Sequence, residues 1–105
     1  MDIIEAVSQV YNVSPETIRR KTHARKSVEP RMICIALLRA TGQLKSYRTG
    51  NYFDVKKDAV RNSIIKTSNL IKFNSSFRGN VVEVLKLIYP AQETREVIVK
   101  KMIVN

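Results

Sequence analysis

The chain has 105 residues, 44% of them hydrophobic, with one cysteine, one histidine and a formal net charge of +10, which is room for one domain with one core and gives no sign of disorder. No run of eighteen apolar residues is present to cross a membrane, a lone thiol closes no internal disulfide, and one His with one Cys builds no ordinary zinc site. None of the three glycines, Gly42, Gly50 and Gly79, is followed by Lys, so the phosphate cradle of a P-loop is absent.

From Asp2 to about Tyr11, the residues Ile3, Ile4, Val7, Val10 and Tyr11 recur at three and four, which predicts one face of a helix. Asn12-Val13 breaks that pattern. Ser14-Pro15-Glu16-Thr17 then predicts a second, short helix: Ser14 caps free amides, and Pro15 suits the first helical position, where no amide partner is needed. This helix runs into Arg19-Arg20-Lys21. Thr22 to Val28 is expected to be a basic loop, and Glu29-Pro30 to open a third helix. Met32 to Leu38 is apolar all round, as in a central buried helix, and Thr41-Gly42 ends it.

Gln43 to Phe53 is expected to hold a short helix on Leu44 and Tyr47, followed by a tight turn at Gly50. From about Lys57 to Lys72 a longer helix follows, with Val60, Ile64, Thr67 and Ile71 on one face. Lys57, Asp58, Arg61, Asn62 and Asn69 fall opposite, and Ile65 falls among them. Asn74-Ser75-Ser76 is a turn or linker. Two further helices are favoured over Val81–Tyr89 and Gln92–Val104, although Val97-Ile98-Val99 also suits a strand.

Charge is unevenly distributed along these elements. Residues 1–18 hold three acids and no Lys or Arg. Residues 19–72 hold fourteen Lys/Arg against three acids, and residues 73–105 hold five against three. Such a cationic middle attracts a polyanion, and nucleic acid is the commonest one. His23 stands among Arg19, Arg20, Lys21, Arg25 and Lys26, which oppose a bound cation and the imidazolium; it reads as a surface or backbone-contacting residue. No pair of acids lies close together in an apolar context, so no catalytic residue, metal or cofactor is assigned.

A short helix, a glycine-containing turn and a second helix with a polar outer face make a helix-turn-helix. The second helix fits the major groove. Lys and Arg neutralise phosphates, while Arg and Asn match guanine and adenine edges.

Residues about 3–71 resemble the C-terminal DNA-binding domain of the bacterial replication initiator DnaA, a tryptophan-repressor-like helix-turn-helix, and the small stand-alone proteins that share it. The matching stretches are Ile4 through Val13-Ser14, Lys21 through Val28-Glu29-Pro30-Arg31, Ser46-Tyr47-Arg48, Gly50-Asn51-Tyr52-Phe53 and Asn69-Leu70-Ile71. The resemblance implies that a loop arginine, here Arg25, reaches the minor groove, and that bases are read by about Val55 to Asn62. The family's signature departs here. Asp54 stands for a glycine, Val55-Lys56-Lys57-Asp58-Ala59 precedes Val60, and the base-reading His and Thr are gone, so a different base choice is expected.

The expected fold is all-α. Residues 1–72 form the helix-turn-helix domain, and 73–105 form an apolar extension that packs on the core or mediates dimerisation through residues 81–104. Ile65 is expected to be covered by this extension; the alternative is contact with a thymine methyl. The expected partner is double-stranded DNA, with no membrane. The expected DNA-contacting residues are Lys21, Arg25, Lys26, Arg31, Lys45, Arg48, Lys56, Lys57, Asp58, Arg61 and Asn62. The expected role is a non-enzymatic regulator or accessory factor of replication or transcription. The start Met1-Asp2-Ile3-Ile4-Glu5 lacks the pattern of a secretion signal, and the expected setting is the bacterial cytoplasm, nucleoid-associated or phage-encoded. The alternative role is a protein-interaction or assembly module, phage-encoded or not, derived from a DNA-binding domain.

Overall fold

Helix starts and stops written into short stretches of sequence set the architecture. The computed structural model describes residues 1–19, 25–49 and 56–104, without the side chains of Arg25, Arg48 and Thr49. In chain order the elements are α1 (Ile3–Tyr11), α2 (Pro15–Arg19), α3 (Arg25–Ala40), α4 (Leu44–Thr49), α5 (Lys57–Phe73), α6 (Ser75–Ile88) and α7 (Gln92–Met102), with no strand among the described residues. The fold is all-α, as the periodicity predicts. Val97-Ile98-Val99, for which a strand was the alternative, lies within α7.

Asp2 caps α1, accepting from the Glu5 amide at 2.8 Å. Asn12 ends α1 with φ 54°, a left-handed conformation that Asn tolerates. Ser8 Oγ donates to the Val13 carbonyl and closes that turn. Ser14 Oγ accepts from the Thr17 amide at 3.2 Å, the cap expected for α2. At the end of α3, the Gly42 amide donates to Arg39 O at 3.1 Å and the Gln43 amide to Leu38 O at 2.8 Å. These are the paired bonds of a Schellman motif, and Gly42 at φ 76° supplies the left-handed residue it needs.

Two boundaries differ from expectation. Ser75-Ser76, expected to be turn or linker, opens α6 six residues before Val81, because Asn74 caps that helix and Phe77 is buried in its first turn. The third helix begins at Arg25, so Arg25–Val28 is helical and Pro30 is its sixth residue. Proline removes one amide and crowds the carbonyl four residues earlier. That effect falls near the helix start, where few intrahelical bonds exist to lose. Ser27 and Pro30 are both buried, so packing favours the continued helix. Of the expected basic loop Thr22–Val28, residues 25–28 lie in α3; Arg19 ends α2, and residues 20–24 and 50–55, with the expected turn at Gly50, lie outside the described residues. Lys21 and His23 are among these, as are Tyr52 and Phe53 after α4.

The central element is α3, packed against α1, α2, α4, α5 and α7. Every residue from Met32 to Leu38 is buried, as an all-round apolar helix requires. Burial pushes the Cys34 thiol far above its usual range. From α5, Val60, Thr67, Ser68 and Ile71 point inward. Thr67 Oγ1 donates to the Met32 carbonyl at 3.3 Å, which satisfies a buried hydroxyl. Phe77, Val81, Val84 and Leu85 of α6 and Ile98 and Met102 of α7 belong to the same apolar cluster as Ile4, Val7 and Ile33.

A polar node joins three helices. Tyr11 Oη donates to Glu29 Oε1 at 2.6 Å and accepts from Asn80 Nδ2 at 3.3 Å. Burial, with the Glu29 carboxylate second, holds the Tyr11 phenol protonated well above its usual range. Replacing Tyr11 by Phe is expected to cost about 1.5 kcal/mol, the scale of a lost hydrogen bond to a charged group. Urea denaturation of the two proteins measures it.

Candidate nucleic-acid interface

The second half of the helix-turn-helix is α5, and its sequence sorts cleanly around the helix. Val60, Thr67, Ser68 and Ile71 are buried, while Lys57, Asp58, Arg61, Asn62, Ile65, Lys66, Asn69 and Lys72 are exposed. At 3.6 residues per turn, Asp58, Asn62, Ile65 and Asn69 form one stripe along the outer side. Arg61 flanks it on one edge and Lys66 on the other. Lys56 stands at the N-cap in an extended conformation, and its side chain makes no capping hydrogen bond. The cationic pair Lys56 and Lys57, both exposed, therefore stands at the positive end of the α5 dipole, a location suited to an anion.

The start of α3 lies beside the second half of α5. Val28, Glu29 and Met32 share an open, mostly apolar groove with Lys66, Asn69 and Leu70. Lys26, exposed, is one turn or less from that groove. The exposed edge of α5 and the cationic start of α3 thus border a common surface. Lys45 is exposed on α4. Arg25 and Arg48 belong to α3 and α4, but their side chains lie outside the described residues, as does all of Lys21.

Arg31 points elsewhere. Its Nε donates to Ile18 O at 3.0 Å, and its Nη2 donates to Thr17 O at 3.2 Å and to Ser27 Oγ at 3.4 Å. These bonds fasten the C-terminal carbonyls of α2 to α3. Burial pulls the guanidinium below its usual value.

Ile65 corrects a sequence expectation. It is 42% exposed, not covered by the C-terminal segment. That segment meets α5 nearer its C-terminal end: Ser68 Oγ donates to Val104 O at 3.1 Å and accepts from its amide at 2.8 Å, and Lys72 Nζ donates to Val104 O at 3.2 Å. Lys66 and Asn69 also belong to the exposed face without having been singled out as contacts. Their spacing from Asn62, four and seven residues, was the signal available.

Among the described residues no group of His, Cys, Asp and Glu could hold a metal ion, and no helix is long and apolar enough to cross a membrane.

The family model of the bacterial DnaA protein helix-turn-helix matches residues 1–66. Over 83 residues the chain is 35% identical to the chromosomal replication initiator protein DnaA of Campylobacter curvus (strain 525.92) and 34% identical to that of Campylobacter concisus (strain 13826). Each match covers 78% of this chain and 19% of the relative, so the chain spans about a fifth of the length of these curated relatives. No solved structure matches it. With its capped short helices, its buried central α3 and a family match over residues 1–66, the chain belongs to the family of the bacterial DnaA helix-turn-helix.

Proposed function

We propose that this chain binds double-stranded DNA and serves replication initiation, with α5 in the major groove and the cationic start of α3 on the flanking backbone or minor groove. The observation that carries this reading is the exposed face of α5, polar except for Ile65, which shares a surface with the start of α3. The major groove is about 12 Å wide and admits one helix. A helix seated there presents Asp58, Arg61 and Asn62, whose side chains suit cytosine, guanine and adenine edges respectively. Lys26, Lys45, Lys56 and Lys57 are placed to neutralise phosphates, and Lys21, Arg25 and Arg48 join them by sequence position. Arg31, held by the α2 carbonyls, acts instead to fix the approach of α2 to α3.

Family membership supports the same reading, because the relatives are chromosomal replication initiator proteins. With no family His or Thr at the base-reading positions, the bases chosen differ from the usual initiator box.

Fluorescence anisotropy against a pool of random duplexes tests the proposal. Binding at micromolar concentration or better supports it. No binding would favour a second reading, in which the groove between Val28, Met32 and Leu70 receives a protein partner. Replacing Arg61 or Asn62 by Ala is expected to cost about 1–3 kcal/mol on the preferred duplex and to relax base choice. Replacing Lys26 by Ala is expected to weaken all duplexes alike. Equal effects from both sets would mean that α5 does not read sequence.

A further inference from the structure

Ile65 stands in an unusual place for an exposed aliphatic side chain. Scattered exposed apolar residues are ordinary, and Val28, Phe73, Leu87 and Val97 are also exposed here. Ile65 differs in its neighbours. It lies in the stripe Asp58, Asn62, Ile65, Asn69, with Arg61 one turn before it, and the other four residues are all exposed and polar. The C-terminal segment leaves it uncovered, because Val104 is anchored to Ser68 and Lys72, one to two turns further along α5. Val97 of α7 is also exposed among polar residues, Glu93, Thr94, Lys100 and Lys101, but α7 lies outside residues 1–66, which match the helix-turn-helix family.

The base edges of the major groove carry one apolar feature, the thymine 5-methyl group. From Asp58 to Ile65 is seven residues, roughly 10 Å of helix rise or about three base-pair steps. Ile65 is therefore within the length of duplex that one helix can follow. We propose that Ile65 is a specificity-determining residue that packs against a thymine methyl two to four base pairs from the base read by Asp58. This rests on the proposed duplex binding by α5. The face then carries a reader of each kind: an acceptor at Asp58, a cationic donor at Arg61, an amide at Asn62 and an apolar surface at Ile65. The contact adds discrimination between thymine and cytosine that hydrogen bonds from Arg61 and Asn62 leave open.

The experiment removes the methyl group and nothing else. The full chain is used to select its preferred duplex from a random pool, and each thymine is then replaced singly by deoxyuridine. Affinities are measured for the wild type, Ile65→Ala and Ile65→Val, with thermal melting to verify that each variant is folded. The wild type is expected to lose about three- to fivefold at one thymine, the ratio that burial of a single methyl group gives. Ile65→Ala is expected to bind the thymine and deoxyuridine duplexes alike, and Ile65→Val to retain most of the difference. A wild type indifferent to every replacement, or an Ile65→Ala variant that keeps the penalty, would overturn the assignment while leaving duplex binding intact. Failure to select any duplex would overturn duplex binding itself, and this assignment with it.

Discussion

Between 50 and 200 mM salt the affinity of this chain for duplex DNA is expected to fall about a thousandfold, the loss that neutralising about six phosphates gives. The expectation comes from counterion release: each cation seated on a phosphate frees a condensed counterion, so the slope of log affinity against log salt counts the contacts. Lys26, Lys45, Lys56 and Lys57 are exposed around α3, α4 and α5. Lys21, Arg25 and Arg48 bring the candidates above the number required. The paired variant Lys26→Ala/Lys57→Ala is expected to make the slope shallower by about two contacts without unfolding the chain, since both residues are exposed. A salt response that is flat in the wild type, measured by anisotropy on one duplex, would remove phosphate contact as the source of affinity.

Truncating Phe77 to Ala is expected to cost about 3–5 kcal/mol of folding stability. Phe77 is 3% exposed at the start of α6, and its amide donates to Asn74 Oδ1 at 3.0 Å, so cap and side chain are set together. Its ring belongs to the cluster that includes Ile4, Val7, Ile33 and Ile71, and α6 packs against both α1 and α5. A cavity there is not refilled by a flexible neighbour, because these side chains come from several helices already held by caps. Domains of this kind have only about 5–15 kcal/mol to lose. A lower urea midpoint is therefore expected, with duplex binding kept at temperatures where the variant is still folded. An unchanged midpoint would mean that α6 contributes little to the core that carries α5.

Much of the fold is legible because its signals act over a few residues. The Ser14 cap, the Gly42 turn and the apolar run Met32–Leu38 depend on backbone chemistry and helical period alone. The outer face of α5 is legible for the same reason: a period of 3.6 sorts Val60, Thr67 and Ile71 from Asp58, Arg61 and Asn62 whatever lies beyond. The start of α3 is less so. Pro30 reads locally as a first-turn residue, but burial of Ser27 and Pro30 extends the helix back to Arg25. The local preference is worth less than the packing that overrides it.

By itself the sequence determined an all-α fold, its cationic middle and the polar side of α5, since charge, caps and periodicity need no knowledge of distant neighbours. Only the tertiary structure decided which groups meet across the chain. It joined Tyr11 to Glu29 and Asn80, 18 and 69 residues away, turned Arg31 onto the α2 carbonyls, and led Val104 to Ser68 rather than over Ile65. Such contacts depend on how helices close on one another in space, and no spacing along the chain records that closure.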